Sequence, residues 1–296
     1  NKEIRMEKER ILILGVTGML GHTLFKEMNK NENFEVFGTT RNKNSLKDYF
    51  TLEELSRIRD GVDADNFETV IRAIASVQPT IIINCIGIIK QLPISRDPLT
   101  AITVNAQLPH RLSLVTRTAK ARLIHISTDC VFDGKKGNYT EKDLSNAEDL
   151  YGKTKYLGEV HYPHCITLRT SSLVDWFMSQ ENEINGFTKA IYSGFPTIEM
   201  VNIISNYVIP NKDLSGLYHV SSDTISKYDL LNIMKKIYQK DIKINAFDDF
   251  VLDRSMNSDR FKYATGYKSP SWEKLVEDMY QHVISDDCYK NKFFRK

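Results

Sequence analysis

Ile11-Leu12-Ile13-Leu14-Gly15-Val16-Thr17-Gly18-Met19-Leu20-Gly21 is the stretch that decides the fold. Four consecutive apolar residues ending at a glycine read as a short buried strand. Apolar spacing over residues 20–28 predicts a helix. Glycines at positions 15, 18 and 21 permit a tight turn between the two and let a pyrophosphate approach backbone N–H groups. The helix start then offers uncompensated N–H donors and the positive end of its dipole. A glycine triplet is common by chance, and its place between strand and helix is what gives it meaning. A dinucleotide is expected here, on Gly15, Thr17, Gly18, Met19, Leu20 and Gly21.

Outward from that turn, residues 34–38 form a second strand ending near Thr39-Thr40-Arg41. An acidic residue at this end would bind a ribose 2′-hydroxyl. None is present, and Arg41 suits a 2′-phosphate. NADP(H) is therefore the expected cofactor, with NAD(H) as the alternative. Residues 65–77 carry Phe67, Val70, Ile71 and Ile74 at helical spacing. Strands follow over 80–85, 123–126 and 165–168, with a helix over 98–118 between the first two. Continuous apolar strands alternating with helices predict an α/β fold, a doubly wound parallel (Rossmann) sheet. The C-terminal third has a strand over 216–220, then helices over 229–240 and 272–283. A polar, Asp-rich connection over 247–260 separates these helices. This predicts a dinucleotide-binding domain of residues 1–170 and about 196–225, with a small, less regular substrate lobe of about 171–195 and 226–296.

Composition narrows the function. Of 296 residues, 41% are apolar and 26% charged, which suits a globular chain. The formal net charge of +2 gives no footprint for nucleic acid or an acidic membrane. No apolar run reaches bilayer length. Cys85, Cys130, Cys165 and Cys288 show no CxxC spacing, so no metal site is expected. They read as reduced thiols of a cytoplasmic protein. The charged residues 1–10 are neither signal nor anchor, and Met6 reads as the natural start.

Tyr151-Gly152-Lys153-Thr154-Lys155 places a phenol and an amine one helical turn apart. An ammonium near a phenol favours the phenolate and lowers its pKa. Such a tyrosine protonates the oxyanion formed by hydride transfer. This spacing is weak by itself in a chain rich in both residues. Position supplies the rest, because Tyr151 follows the fifth strand and precedes the sixth. The fifth strand ends in Ser127-Thr128-Asp129-Cys130-Val131-Phe132-Asp133-Gly134, which brings a hydroxyl to the crevice where open α/β sheets bind ligands. Asn84-Cys85-Ile86-Gly87 ends the fourth strand in the same crevice, and Asn105 lies in the next helix.

Together these segments resemble the dTDP-4-dehydrorhamnose reductase branch of the extended short-chain dehydrogenases. The likeness runs over nearly the whole chain. It includes the GxxGxxG turn, Val62-Asp63-Ala64, Leu168-Arg169-Thr170-Ser171 and Gly194-Phe195-Pro196-Thr197. The resemblance implies that Tyr151 donates the proton and that Lys155 tunes it and holds the nicotinamide ribose. Thr128 would give a second hydrogen bond to the sugar oxygen. Asp63 and Ala64 would lie by the adenine, with Cys85, Ile86, Gly87 and Asn105 also along the cofactor. Lys90, Asn105, Thr128 and Arg254 are expected on the substrate side, Arg254 toward the nucleotide end. The implied partner is a nucleotide-activated 6-deoxy-hexulose bearing a C4 ketone. A homodimer is expected by analogy.

Two features depart from the family. Cys130 stands where relatives usually have Tyr, and the loop after Ser171 is shorter than theirs before Val174-Asp175-Trp176. A 4,6-dehydratase would need a glutamate at position 130. An epimerase using the same Tyr and Lys with retained NAD stays open, although Arg41 argues against it. A non-catalytic NADP-binding regulatory subunit is the other alternative.

Overall fold

A computed structural model describes residues 8–88, 97–173, 177–180 and 182–285. Met6, Lys90, the segment 174–176 and Cys288 lie outside the described residues. The chain order is β1 (Glu9–Leu14), α1 (Met19–Met28), β2 (Phe34–Thr39), α2 (Leu52–Ser56), β3 (Ile58–Arg59), α3 (Phe67–Val77) and β4 (Ile81–Asn84). It continues through α4 (Pro98–Ala101), a π-helical stretch Ile102–Gln107, α5 (Leu108–Thr118), β5 (Arg122–Thr128), α6 (Leu150–Leu157), β6 (Cys165–Thr170) and β7 (Ser172–Leu173). The remainder is β8 (Glu183–Tyr192), β9 (Phe195–Pro196), α7 (Thr197–Ile203), β10 (Gly216–His219), β11 (Ile225–Ser226), α8 (Lys227–Tyr238), β12 (Lys243–Asp253), α9 (Asp259–Thr265) and α10 (Trp272–Ser285).

Seven strands form one sheet in the order β10-β6-β5-β4-β1-β2-β3, and every pairing in it is parallel. The order reverses between β1 and β4, so their C-terminal ends open a crevice at a topological switch point. Side-chain alternation sends Ile11, Ile13, Ile83 and Ile124 to one core and Leu12, Leu14, Ile82 and Leu123 to the other. The second core takes Phe67, Val70, Ile74 and Val77 of α3. This period-2 pattern buried on both faces explains why the strands read as unbroken apolar runs. The expected doubly wound fold is the observed one.

The C-terminal region differs from the expectation. The span 247–260 is not a connection: β12 runs through its first half, and α9 begins at Asp259. β12 pairs in parallel with β8, which pairs antiparallel with β11. β12 is largely exposed and β8 mostly half-buried, so no run of fully buried residues marks either. The register also shifts between Phe247 and Val251, where Asp248 and Asp249 interrupt the ladder. That acidic pair made the strand read as loop.

Candidate active site

The turn between β1 and α1 is built on Gly15, whose φ of +89° is left-handed. Gly15 N donates to Thr39 Oγ1 at 3.1 Å and Val16 N to Thr39 O at 3.1 Å, which ties the turn to the end of β2. A Cβ on Gly21 would stand 2.2 Å from the Gly15 carbonyl oxygen, so helix and strand can meet this closely only through glycine. α1 starts at Gly18 with no side-chain cap. Thr17, Gly18 and Met19 are exposed, while Leu20 belongs to the core. An uncapped helix start behind an exposed glycine turn fits a dinucleotide pyrophosphate.

Other expected cofactor residues line the same strand ends. Arg41 is exposed two residues beyond β2. Val62 N donates to Thr40 O at 2.9 Å, which brings Asp63 and the buried Ala64 beside that end. Cys85, Ile86 and the exposed Gly87 leave β4. The Gly15 turn packs on Ile86.

Asn105 sits on the π-helical stretch and is 1% exposed. Its Oδ1 accepts from Ile88 N at 2.9 Å. Its Nδ2 donates to Ile88 O at 3.2 Å and to Thr154 Oγ1 at 3.3 Å. These bonds join the β4 exit to α6, with the Oδ1 close to Gly87 at the crevice.

α6 is capped by Asp149, whose carboxylate accepts from Gly152 N at 2.8 Å. A Cβ on Gly152 would lie 2.2 Å from the Cys130 carbonyl oxygen, so the start of α6 rests on the turn after β5. Thr128, Cys130 and Tyr151 are thereby brought together. Thr128 Oγ1 donates to Asp129 Oδ1 at 3.1 Å and accepts from Cys130 N at 3.1 Å. Burial pushes the Tyr151 phenol above its usual range, the Asp129 charge adds to this, and a hydrogen bond with Thr128 opposes it. The lowering expected from Lys155 does not figure among the effects on this phenol. Lys155 is buried, donates to Ile126 O at 2.7 Å, and has its pKa lowered to about 8 by burial.

Arg254 lies against the same turn, one residue beyond β12. Its Nε donates to Phe132 O at 2.9 Å and its Nη1 lies 3.7 Å from Cys130 Sγ. The guanidinium is thus beside the reacting end of the site. Burial pushes the Cys85, Cys130 and Cys165 thiols up to about 12, which keeps them protonated. Asp129, which accepts the Thr128 hydroxyl, joins the site, and farther along the chain the Lys227 ammonium stands 5.4 Å from the centre of the Tyr192 ring. No sequence pattern marked Tyr192 or Lys227, which sit on β8 and α8 far along the chain.

Among the described residues no group of three or more His, Cys, Asp or Glu side chains is arranged to hold a metal ion. No described helix is long and apolar enough to cross a membrane.

The profile of the RmlD substrate binding domain matches residues 9–285. The chain is 27% identical over 252 residues to methionine adenosyltransferase 2 subunit beta of Danio rerio, covering 77% of this chain and 73% of that protein. It spans 44% of the length of the cattle, rat and mouse proteins of the same name. It is 24% identical over 311 residues to dTDP-4-dehydrorhamnose reductase of Aggregatibacter actinomycetemcomitans, covering 91% of this chain and 98% of that one. Among solved structures, dTDP-4-dehydrorhamnose reductase of Bacillus anthracis in complex with NADP superposes with a TM-score of 0.76 at 22% identity, covering 93% of this chain and all of that one (100%).

Proposed function

The chain belongs to the RmlD substrate binding domain family, and from that premise we propose that it is an NADPH-dependent reductase of the C4 ketone of a nucleotide-activated 6-deoxy-hexulose. The observation that carries this reading is the placement of Tyr151, a half-buried phenol, beside Thr128 where the start of α6 rests on the turn after β5, with Lys155 on the same helix. NADPH, when bound, supplies the hydride that adds to C4. Reduction then needs one proton on the ketone oxygen, and Tyr151 holds it at its phenolic oxygen. Thr128 presents a second hydroxyl to the same oxygen, and both stabilise negative charge as it develops. Lys155 brings a cation beneath the site, which favours the tyrosinate left behind. The turn at residues 15–21 and Arg41 are assigned to the dinucleotide phosphates. The protein works in the cytoplasm on this reading.

Two further readings stand beside it. Likeness to methionine adenosyltransferase 2 subunit beta favours a non-catalytic, cofactor-binding subunit. An epimerase would use the same Tyr151 and Lys155.

The test follows NADPH oxidation at 340 nm with dTDP- and UDP-linked 4-keto-6-deoxy sugars, comparing wild type with Tyr151→Phe. Stoichiometric oxidation that falls about 10²-fold or more in the variant supports the reductase. Tight NADPH binding without turnover supports the subunit. Sugar isomerisation without net oxidation supports the epimerase.

A further inference from the structure

A cavity of about 530 Å³ opens at the N-terminal ends of β1, β4 and β5, the edge of the main sheet opposite the crevice. That volume lies within the range of small-molecule sites. The seven residues of β5 separate Arg122 at this end from Thr128 at the other, a span of roughly 20 Å. Four cations line the cavity, Arg117, Lys120, Arg122 and Lys212, against one carboxylate, Glu9. That carboxylate is already engaged: its Oε1 lies 3.0 Å from Lys212 Nζ, and its Oε2 accepts the Thr80 hydroxyl at 2.7 Å. Among the described residues, Arg117, Lys120 and Arg122 have no carboxylate within 4.0 Å.

The Arg122 guanidinium is half-buried and held in place, with Nη1 donating to Val208 O at 2.7 Å and Nη2 to Leu214 O at 2.8 Å. Burying a guanidinium without a counter-ion costs stability. Carbonyls at the end of α5 are taken up within the chain: Ala119 N donates to Val115 O, Lys120 N to Arg117 O, and Ala121 N to Thr116 O. Lys120 holds the left-handed φ of +55° that this helix end requires, where glycine is the usual residue. Three cations without ion-pair partners around one cavity attract an anion. A guanidinium such as that of Arg117 suits phosphate oxygens in particular. Ile81, Pro163 and Ile209 add an apolar part to the wall, which favours an organic phosphate over a bare ion.

We infer that this cavity is a second ligand site, separate from the crevice, which binds a di- or polyphosphate anion of up to nucleotide size on Arg117, Lys120 and Arg122. The inference does not rest on the reductase reading, since no residue of the glycine turn or of the Thr128–Tyr151 pocket lines the cavity.

The test titrates ADP and inorganic pyrophosphate, by calorimetry, into the full chain saturated with NADPH. ADP is expected to bind with a Kd below about 1 mM, and more weakly as salt rises. Arg117→Gln combined with Lys120→Gly should weaken that binding about tenfold or more. Glycine suits the left-handed backbone at position 120, so the double variant should keep its urea midpoint while losing the ligand. Arg254→Ala, which alters the crevice, should leave the Kd within about twofold. Pyrophosphate binding as tightly as ADP, with the same loss in the double variant, would uphold the site and assign it to inorganic polyphosphate. No heat from either probe would overturn the inference. So would a Kd that responds to Arg254→Ala and not to the double variant, which places the probe in the crevice. A fallen urea midpoint with unchanged binding would equally refute it, leaving the two cations to serve only the end of α5.

Discussion

Lys155 Nζ donates a 2.7 Å hydrogen bond to the Ile126 carbonyl oxygen, which fixes a buried amine beneath the end of β5. Burial lowers its pKa from 10.5 to about 8. The folded state therefore binds fewer protons than the unfolded state between pH 8 and 10.5. The cost of holding the charge is fully present below pH 8 and is relieved as pH rises toward 10.5. Lys155→Met should then stabilise the fold near neutral pH by about 1–3 kcal/mol. It should also lower kcat/KM by about 10²-fold or more. Denaturant unfolding beside steady-state kinetics checks both. A variant that loses stability and activity together would show that the amine serves mainly to hold the fold.

Arg41 is exposed beyond β2, where a 2′-phosphate would sit. Arg41→Ala is expected to raise KM for NADPH by about tenfold or more while changing KM for NADH little, since one charge-assisted contact contributes about 1.5–3 kcal/mol. Equal effects on both cofactors would remove Arg41 from the site.

The glycine turn gives a sharper prediction. A Cβ on Gly21 would meet the Gly15 carbonyl oxygen at 2.2 Å, and the nearest atoms are backbone that cannot rotate away. Gly21→Ala should separate α1 from β1, abolish NADPH binding as seen by calorimetry, and cost about 1–3 kcal/mol of stability. Gly18, whose added Cβ would meet only the Gly15 oxygen at 3.6 Å, should tolerate alanine in stability.

How much was legible follows from where each signal lies. β1, β4 and β6 are buried on both faces, so apolar runs announce them without any knowledge of partners. Tyr151 and Lys155 share one helix face, and Thr128 ends an adjacent strand, so spacing and chain order suffice. β8 and β12 hide because neither is buried on both faces and a bulge breaks one of them. The anchoring of Asn105 depends on hydrogen bonds to Ile88 and Thr154, and the approach of Arg254 to Cys130 on residues 124 positions apart. No local pattern encodes contacts of that range. The direction of the Tyr151 shift was missed for a related reason: spacing reveals an amine one turn along the helix and not the burial that raises the phenol.

His219 tests the pH response of the buried network. Burial and the Arg169 charge lower its pKa from 6.5 to about 4, and its Nδ1 lies 3.0 Å from Tyr139 O. The folded state resists protonation that the unfolded state accepts, so its stabilising contribution is present above pH 6.5 and is lost as pH falls through 4. The loss from this group should reach about 3 kcal/mol. Urea titrations at pH 7 and pH 4 should show a smaller drop for His219→Gln than for wild type. Equal drops would place the acid sensitivity elsewhere, with the buried His125 as the next group to examine.

Glu159 and Arg169 form the centre of that network. Arg169 Nε donates to Glu159 Oε1 at 2.7 Å and Nη2 to Oε2 at 2.7 Å, with the two side chains 1% and 2% exposed. Ser127 Oγ also donates to Glu159 Oε1, at 2.8 Å, and Arg169 Nη1 lies 3.2 Å from His219 Nε2. The pair thus joins the exit of α6 to β5, β6 and β10. Two ions buried this deeply repay their desolvation only while both remain and their hydrogen bonds are filled. Glu159→Gln leaves the guanidinium charged without its counter-ion and should cost about 3–5 kcal/mol. Replacing both, Glu159→Leu with Arg169→Leu, removes the stranded charge. It should cost less than Glu159→Gln alone, despite deleting more hydrogen bonds. Denaturant midpoints for the three variants settle the order. A double variant less stable than the single would mean that the bonds to Ser127 and His219, rather than the charge pair, hold β5 and α6 in register beneath Tyr151.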